Sequence, residues 1–189
     1  MKSIIAVTGM AGAGKGIATD VARSFGYPVF VCGDVVREEA RRRGIPETPE
    51  NLGAVMLSIR REDGPSVVAE RLISGIAESS SQLVVVEGMR SFEEVNELRR
   101  SFGNITIVAI HASPSTRFER IAERGRPDDP KSWSEFEERD MRELDVGIGK
   151  VIALADEMIV NEGNVDELEM SFRRVLEEIS HVESDFNVC

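Results

Sequence analysis

The chain has 189 residues, a formal net charge of −11 and two cysteines, Cys32 and Cys189. Its length suits one α/β domain with a sizeable core, and its acidity argues against general nucleic-acid binding, which needs a basic stripe. No apolar run reaches the ~20 residues of a membrane span and no secretory leader is visible, so a cytoplasmic protein without membrane contact is expected. The cysteines lack metal-ligand spacing; a buried thiol at Cys32 is expected rather than a disulfide.

From the amino end, Ser3-Ile4-Ile5-Ala6-Val7-Thr8 is an apolar strand that feeds Gly9-Met10-Ala11-Gly12-Ala13-Gly14-Lys15-Gly16 and then a helix-compatible stretch. A strand running into a glycine-rich turn that opens a helix is the context of a phosphate-binding loop. Gly9, Gly12 and Gly14 let the backbone curl around an anion. The helix beyond offers unpaired amides and the positive end of its dipole, and Lys15 brings a mobile cation to the β and γ oxygens. The expected ATP-binding set is therefore Gly9, Gly12, Ala13, Gly14, Lys15, Gly16 and Ile17. Position 16, where a Ser or Thr hydroxyl would ligate Mg²⁺, is Gly16. Gly-Lys-Gly resembles the nucleoside monophosphate kinases, adenylate and cytidylate kinases in particular, which implies a metal held largely through water; Ile17 stands where those enzymes usually carry threonine.

Residues 17–25 continue as a helix that stops near Gly26 and Pro28. Residues 28–32 read as a short buried strand, and 34–43 as a helix with Asp34 as its cap, closed by Gly44 and Pro46. Thr48, with Pro49 at the first helical position, opens a helix to about residue 62. Another helix follows Gly64-Pro65-Ser66 and ends near 79; 83–86 is a strand, 91–102 an amphipathic helix and 105–110 a strand. Ser113-Pro114 starts a helix to about 124, 125–131 is a polar loop, and Ser132 with Glu135 has the capping-box pattern before an acidic helix. Residues 157–160 form a last strand, and Asn164 with Glu167 caps the C-terminal helix. Apolar strands alternating with helices predict a parallel sheet with helices on both faces. Ligands then lie at the carboxyl ends of the strands, where Lys15, Asp34, Glu87 and Arg90 all fall.

Gly33-Asp34-Val35-Val36-Arg37 resembles the Gly-Asp-x-x-Arg segment of adenylate kinases, whose arginine grips the acceptor monophosphate. Glu87-Gly88-Met89-Arg90 is similar to their Asp-Gly-Phe-Pro-Arg element, with the proline missing. There the acid orients Mg²⁺-bound water and the arginine holds the acceptor phosphate. The resemblance implies Arg37 and Arg90 as substrate-binding residues and Glu87 as a metal residue acting through water. The blander alternative is a helix-capping Asp34 beside a solvated Arg37.

Arg117, Arg120 and Arg124 share one helix face just before Pro127-Asp128-Asp129-Pro130. The segment 120–124 resembles the arginine-bearing entry to an adenylate-kinase lid. That implies Arg120 and Arg124 closing over the γ-phosphate, stabilising developing charge and excluding water. Arg126, Arg139 and Arg142 stand equally as lid residues or as partners of Glu119, Glu123 and Glu138. No Cys₄ set is present, so a zinc-bearing lid is excluded. Residues 155–163 are similar to the final strand and turn of dephospho-coenzyme A kinases, where Asn161 and Gly163 stand equally as base contacts or as an ordinary turn. His111 is expected to be structural.

Over nearly all its length the chain resembles an archaeal family of P-loop kinase-related proteins akin to adenylate and dephospho-coenzyme A kinases. The segments quoted carry the resemblance, together with His111-Ala112-Ser113-Pro114 and the stretch from Glu138-Arg139-Asp140 to Gly147-Ile148-Gly149. It implies a three-layer α/β P-loop kinase fold with a five-stranded parallel sheet. Residues 1–189 would form one domain, with a helical acceptor-binding segment at about 33–80 and a short lid at about 125–142. The activity expected is γ-phosphoryl transfer from ATP, with Mg²⁺, to a small nucleotide, a nucleoside monophosphate with AMP as first choice. Lys15, Arg120, Arg124 and Asp34 are its expected catalytic residues. An acceptor phosphate needs no strong base, whereas a hydroxyl does; a dephospho-coenzyme A kinase would use Asp34 as that base. A nucleotide sensor without turnover is the alternative from another class.

Overall fold

The computed structural model describes residues 2–126 and 128–186, with side chains through residue 180; the terminal Cys189 lies outside them. The elements run β1 (Ser3–Thr8), α1 (Lys15–Ser24), β2 (Val29–Val31), α2 (Cys32–Arg42), α3 (Pro49–Asp63), α4 (Val67–Glu78) and β3 (Leu83–Glu87). They continue with α5 (Phe92–Phe102), β4 (Asn104–His111), α6 (Pro114–Arg124), α7 (Trp133–Val146), α8 (Ile148–Ala153), β5 (Glu157–Val160) and α9 (Val165–Phe186). The strands form one five-stranded sheet in the order β2-β3-β1-β4-β5, parallel throughout.

Two apolar layers sandwich the sheet. On one face Ile4, Ala6, Val84, Val86 and Ile107 pack under α2, α3, α4, α5 and α8. On the other, Ile5, Val7, Val85 and Val108 meet α1 and Phe172 and Leu176 of α9. This explains why β1 and β3 read as unbroken apolar runs: both of their faces are covered. Cys32 is buried, as its apolar neighbours suggested.

Three local expectations are corrected. β2 is a three-residue edge strand, half-buried rather than buried, and Cys32 already belongs to the next helix. Asp34 therefore sits inside the first turn of α2, whose N-cap is Val31 with no side-chain cap bond; the Asp34 carboxylate accepts from Arg37 instead, at 3.0 Å. At α7, Ser132 Oγ caps the Glu135 amide, but the Glu135 carboxylate turns to the Lys131 amide, so the box is half made. The short helix α8 follows Gly147, which at φ 116° both ends α7 and starts α8; only a left-handed residue makes that corner cheaply.

Candidate active site

At the carboxyl end of β1 the loop 9–14 turns into α1, whose N-cap Gly14 offers no side chain, so no side chain caps its first-turn amides. Gly9 and Gly14 have positive φ, and each also makes room for another part of the chain. A Cβ on Gly9 would lie 2.3 Å from the Ile110 carbonyl oxygen, and one on Gly14 2.5 Å from Asn161 Nδ2. Gly12 lies equally close to the Arg117 backbone. Ala13 is buried, and its carbonyl accepts from Asn161 Nδ2 at 2.8 Å. Ile17 packs on the core, whereas Gly16 is exposed with open space where a Cβ would go. Position 16 thus lacks the metal-ligating hydroxyl without any steric need to lack it.

Lys15 lies across the loop, donating to the carbonyls of Gly9 (2.7 Å) and Met10 (3.1 Å). Glu87, at the end of β3, is 4.0 Å from its Nζ. Burial lowers the Lys15 pKa, and Glu87 and then Glu143 act against that shift. Two bonds fix the β1–β3 ends against each other: Gly88 N donates to Val7 O at 2.9 Å, and Thr8 Oγ1 to Met89 O at 2.8 Å. The turn that follows is set by the buried Glu94. Its carboxylate accepts from the amides of Arg90 and Ser91 and pairs with Arg60. This capping box, Ser91-x-x-Glu94, was visible in the sequence and was not read.

Arg90 leaves that turn toward α7. Its guanidinium lies 3.3 Å from Glu143 Oε1, and Arg139 reaches the same carboxylate at 3.6 Å. Glu143 is buried; burial alone would raise its pKa, but Arg90, Lys15 and Arg139 hold it below the ordinary carboxylate range. Arg90 in turn is raised, Glu143 being the chief cause. Glu143 thus joins Arg90 to Arg139, with the charge of Lys15 also acting on it, and nothing in the sequence pattern singled it out.

A cavity of about 130 Å³ opens beside these residues, walled by α2, α3, α7 and the 128–130 loop. Arg37, Arg90, Arg139 and Arg142 line it, with Glu50, Asp128, Glu135, Glu138 and Glu143. Arg37 is bound by Asp34 and faces Asp128 at 3.7 Å, so it ties α2 to the loop before α7. Asp34 itself is two-thirds exposed.

The arginines of α6 go three ways. Arg117 is buried, donating to Ala11 O at 3.1 Å and to Asp140 Oδ1 at 2.9 Å, with its guanidinium over the Phe136 ring. Arg120 donates to the carbonyls of Asn161 (2.9 Å) and Gly163 (3.1 Å) in the turn after β5. Arg124 donates to Asp129 at 2.8 Å, and Asp129 also accepts from the Arg126 amide. Asn161 is buried and serves as a brace between β5, the phosphate loop and Arg120. His111 closes β4 and is exposed there.

Strand order and phosphate loop define a P-loop kinase-like domain of the nucleotide phosphotransferase fold, with an arginine-lined cavity beside the loop. Residues 8–137 match the family model described as an AAA domain. The chain is 52% identical over 177 residues to a UPF0200 protein of Hyperthermus butylicus, with 94% of this chain and 95% of the relative covered. It belongs to the UPF0200 family. Among solved structures it resembles a shikimate kinase from Bacteroides thetaiotaomicron, at 18% identity and TM-score 0.60 over 94% of this chain and 98% of that one. A gluconokinase from Sinorhizobium meliloti gives 21% identity and TM-score 0.52, over 95% and 96%. Both likenesses are of fold. Among the described residues no helix is long and apolar enough to cross a membrane.

Proposed function

We propose that the chain transfers the γ-phosphoryl group of ATP to a nucleoside monophosphate, AMP in the first instance. The observation that carries this reading is the continuity of Lys15, Glu87, Glu143 and Arg90. Glu87 approaches the loop lysine at 4.0 Å, and Arg90, which lines the cavity, reaches the buried Glu143 carboxylate at 3.3 Å. Phosphoryl transfer depends chiefly on alignment and charge neutralisation. The loop amides and Lys15 would hold the donor phosphates. Arg37 and Arg90 would place the acceptor phosphate once it displaces the carboxylates they now hold. Arg120 and Arg124, both on α6, would close the donor side, Arg120 beside the turn after β5 and Arg124 beside Asp129.

The donor set suits a Mg²⁺ carried mainly by phosphate oxygens and water. No group of three or more His, Cys, Asp or Glu able to hold a metal is found among the described residues, and position 16 has no hydroxyl. Glu87 would hold that hydrated ion, which would supply neutralisation of the phosphate charge.

One observation favours a second reading, a hydroxyl acceptor as in a dephospho-coenzyme A kinase. Asp34 is exposed beside the cavity and tethered by Arg37, where a base for a hydroxyl proton would serve. The test is ADP release from Mg-ATP against AMP, CMP, GMP, UMP, deoxynucleotides and dephospho-coenzyme A, with Lys15→Met alongside. Turnover with AMP, lost at least a hundredfold in Lys15→Met, is expected. Turnover with dephospho-coenzyme A that Asp34→Asn removes would transfer the assignment to the hydroxyl reading. ATP binding with no acceptor-dependent ADP would leave a nucleotide sensor.

A further inference from the structure

The cavity beside the phosphate loop treats its four arginines unequally. Arg37 has Asp34 and Asp128, Arg90 has Glu143, and Arg139 has Asp129 and Glu143, all within 4.0 Å. Among the described residues Arg142 has no carboxylate within that distance. This is not for want of a candidate. Glu138 lies four residues earlier on α7, the spacing that favours a helical ion pair. The Arg142 side chain instead turns across the cavity onto α3 and lies over Gly53, where a Cβ would be 2.0 Å from its Nη1 and 3.0 Å from its Cζ. Gly53 is buried mid-helix, in a turn where glycine costs about 0.5–1 kcal/mol against alanine. The chain therefore carries a helix-weakening residue where a Cβ would require that guanidinium to shift from its present seat.

We infer that Arg142, seated over Gly53, is a specificity-determining anchor for the anionic group of the acceptor, and that Gly53 is its seat. This rests on the acceptor reading above and names a phosphate monoester as the group recognised. The arginines already holding carboxylates must exchange one anion for another, with little net gain. Arg142, whose charge acts on Glu50 with no ion pair within 4.0 Å, has no such pair to break and offers a planar fork matching two phosphate oxygens.

The test is titration calorimetry of AMP, and of adenosine as the probe lacking phosphate, into wild type, Arg142→Gln and Gly53→Ala, with a thermal melt of each. Arg142→Gln is expected to weaken AMP about ten- to hundredfold, the loss of a charge-assisted hydrogen bond, and to leave adenosine unchanged. Gly53→Ala is expected to weaken AMP in the same way while melting at or above the wild-type temperature, which separates displacement of Arg142 from damage to the fold. AMP affinity within twofold across the three proteins would overturn the inference, as would a wild type that binds AMP no better than adenosine. ATP-dependent phosphorylation of AMP, followed in the same proteins, distinguishes the two readings. Turnover indifferent to Arg142 sinks the anchor and keeps the kinase; AMP held through Arg142 but never phosphorylated does the reverse.

Discussion

Arg117 and Asp140 show how much of this site is held by residues that touch no ligand. Arg117 joins the phosphate loop at Ala11 to α7 at Asp140, and it is almost wholly buried. Removing its partner strands a charge inside the protein, which costs about 3–5 kcal/mol. Asp140→Ala is therefore expected to lose roughly that much in urea unfolding, and Asp140→Asn less, since an amide still accepts one hydrogen bond. The same side chain shows where sequence reading stops. Helical spacing placed Arg117, Arg120 and Arg124 on one face, but not that the first goes inward to Asp140, the second to β5 and the third to Asp129. The loop glycines were legible as a turn, yet the close approaches of Ile110 and Asn161 come from strands about a hundred or more residues away in the chain. Gly16 carries the opposite lesson. Its surroundings are open, so Gly16→Thr is expected to melt no lower than wild type and to reach half-maximal turnover at lower Mg²⁺.

At the scale of elements, α7 is a cross-brace. Phe136 anchors it in a small apolar cluster with Ala11 and Ile121, and ring contacts of 5.2–5.5 Å join Phe118, Trp133 and Phe136. From that anchorage Asp140 reaches the phosphate loop through Arg117, while Glu143 and Arg139 reach the arginine-lined cavity through Arg90 and the 128–129 turn. This gives physical content to the stretch from Glu138 to Gly149, whose residues were recognisable in the sequence without any reason for them; Glu143 needed the fold to be seen at all. A second brace lies on α2, where Glu39 accepts from Arg42, Arg43 and, from α4, Arg71. Those bonds hold its carboxyl at about 2 against the usual 4.5. A depressed carboxyl stabilises the fold above its unfolded pKa and loses that contribution as pH falls through the folded one. Stability to urea is expected to drop between pH ~4.5 and about 2, with a shallower slope in Glu39→Gln.

Over the whole molecule, the alternation of apolar strands and amphipathic helices was enough to specify the parallel sheet, its two covered faces and the end at which the site lies. What it could not specify was the closure of that end by the chain itself. Asn161, in the turn after β5, donates to Ala13 and receives Arg120, so the last strand clamps the loop formed by the first. Asn161→Ala removes a buried donor from Ala13 O and is expected to weaken ATP binding several-fold by titration calorimetry, with a stability loss of about 1–3 kcal/mol. Phosphoryl transfer between the phosphate loop and the arginine-lined cavity is the claim that matters most. The direct measurement is the fate of label from γ-³²P-ATP incubated with Mg²⁺, AMP and the full chain. Labelled ADP formed from AMP is expected, absent in Lys15→Met. Label remaining in ATP, or released solely as inorganic phosphate at a rate indifferent to AMP, would contradict that claim.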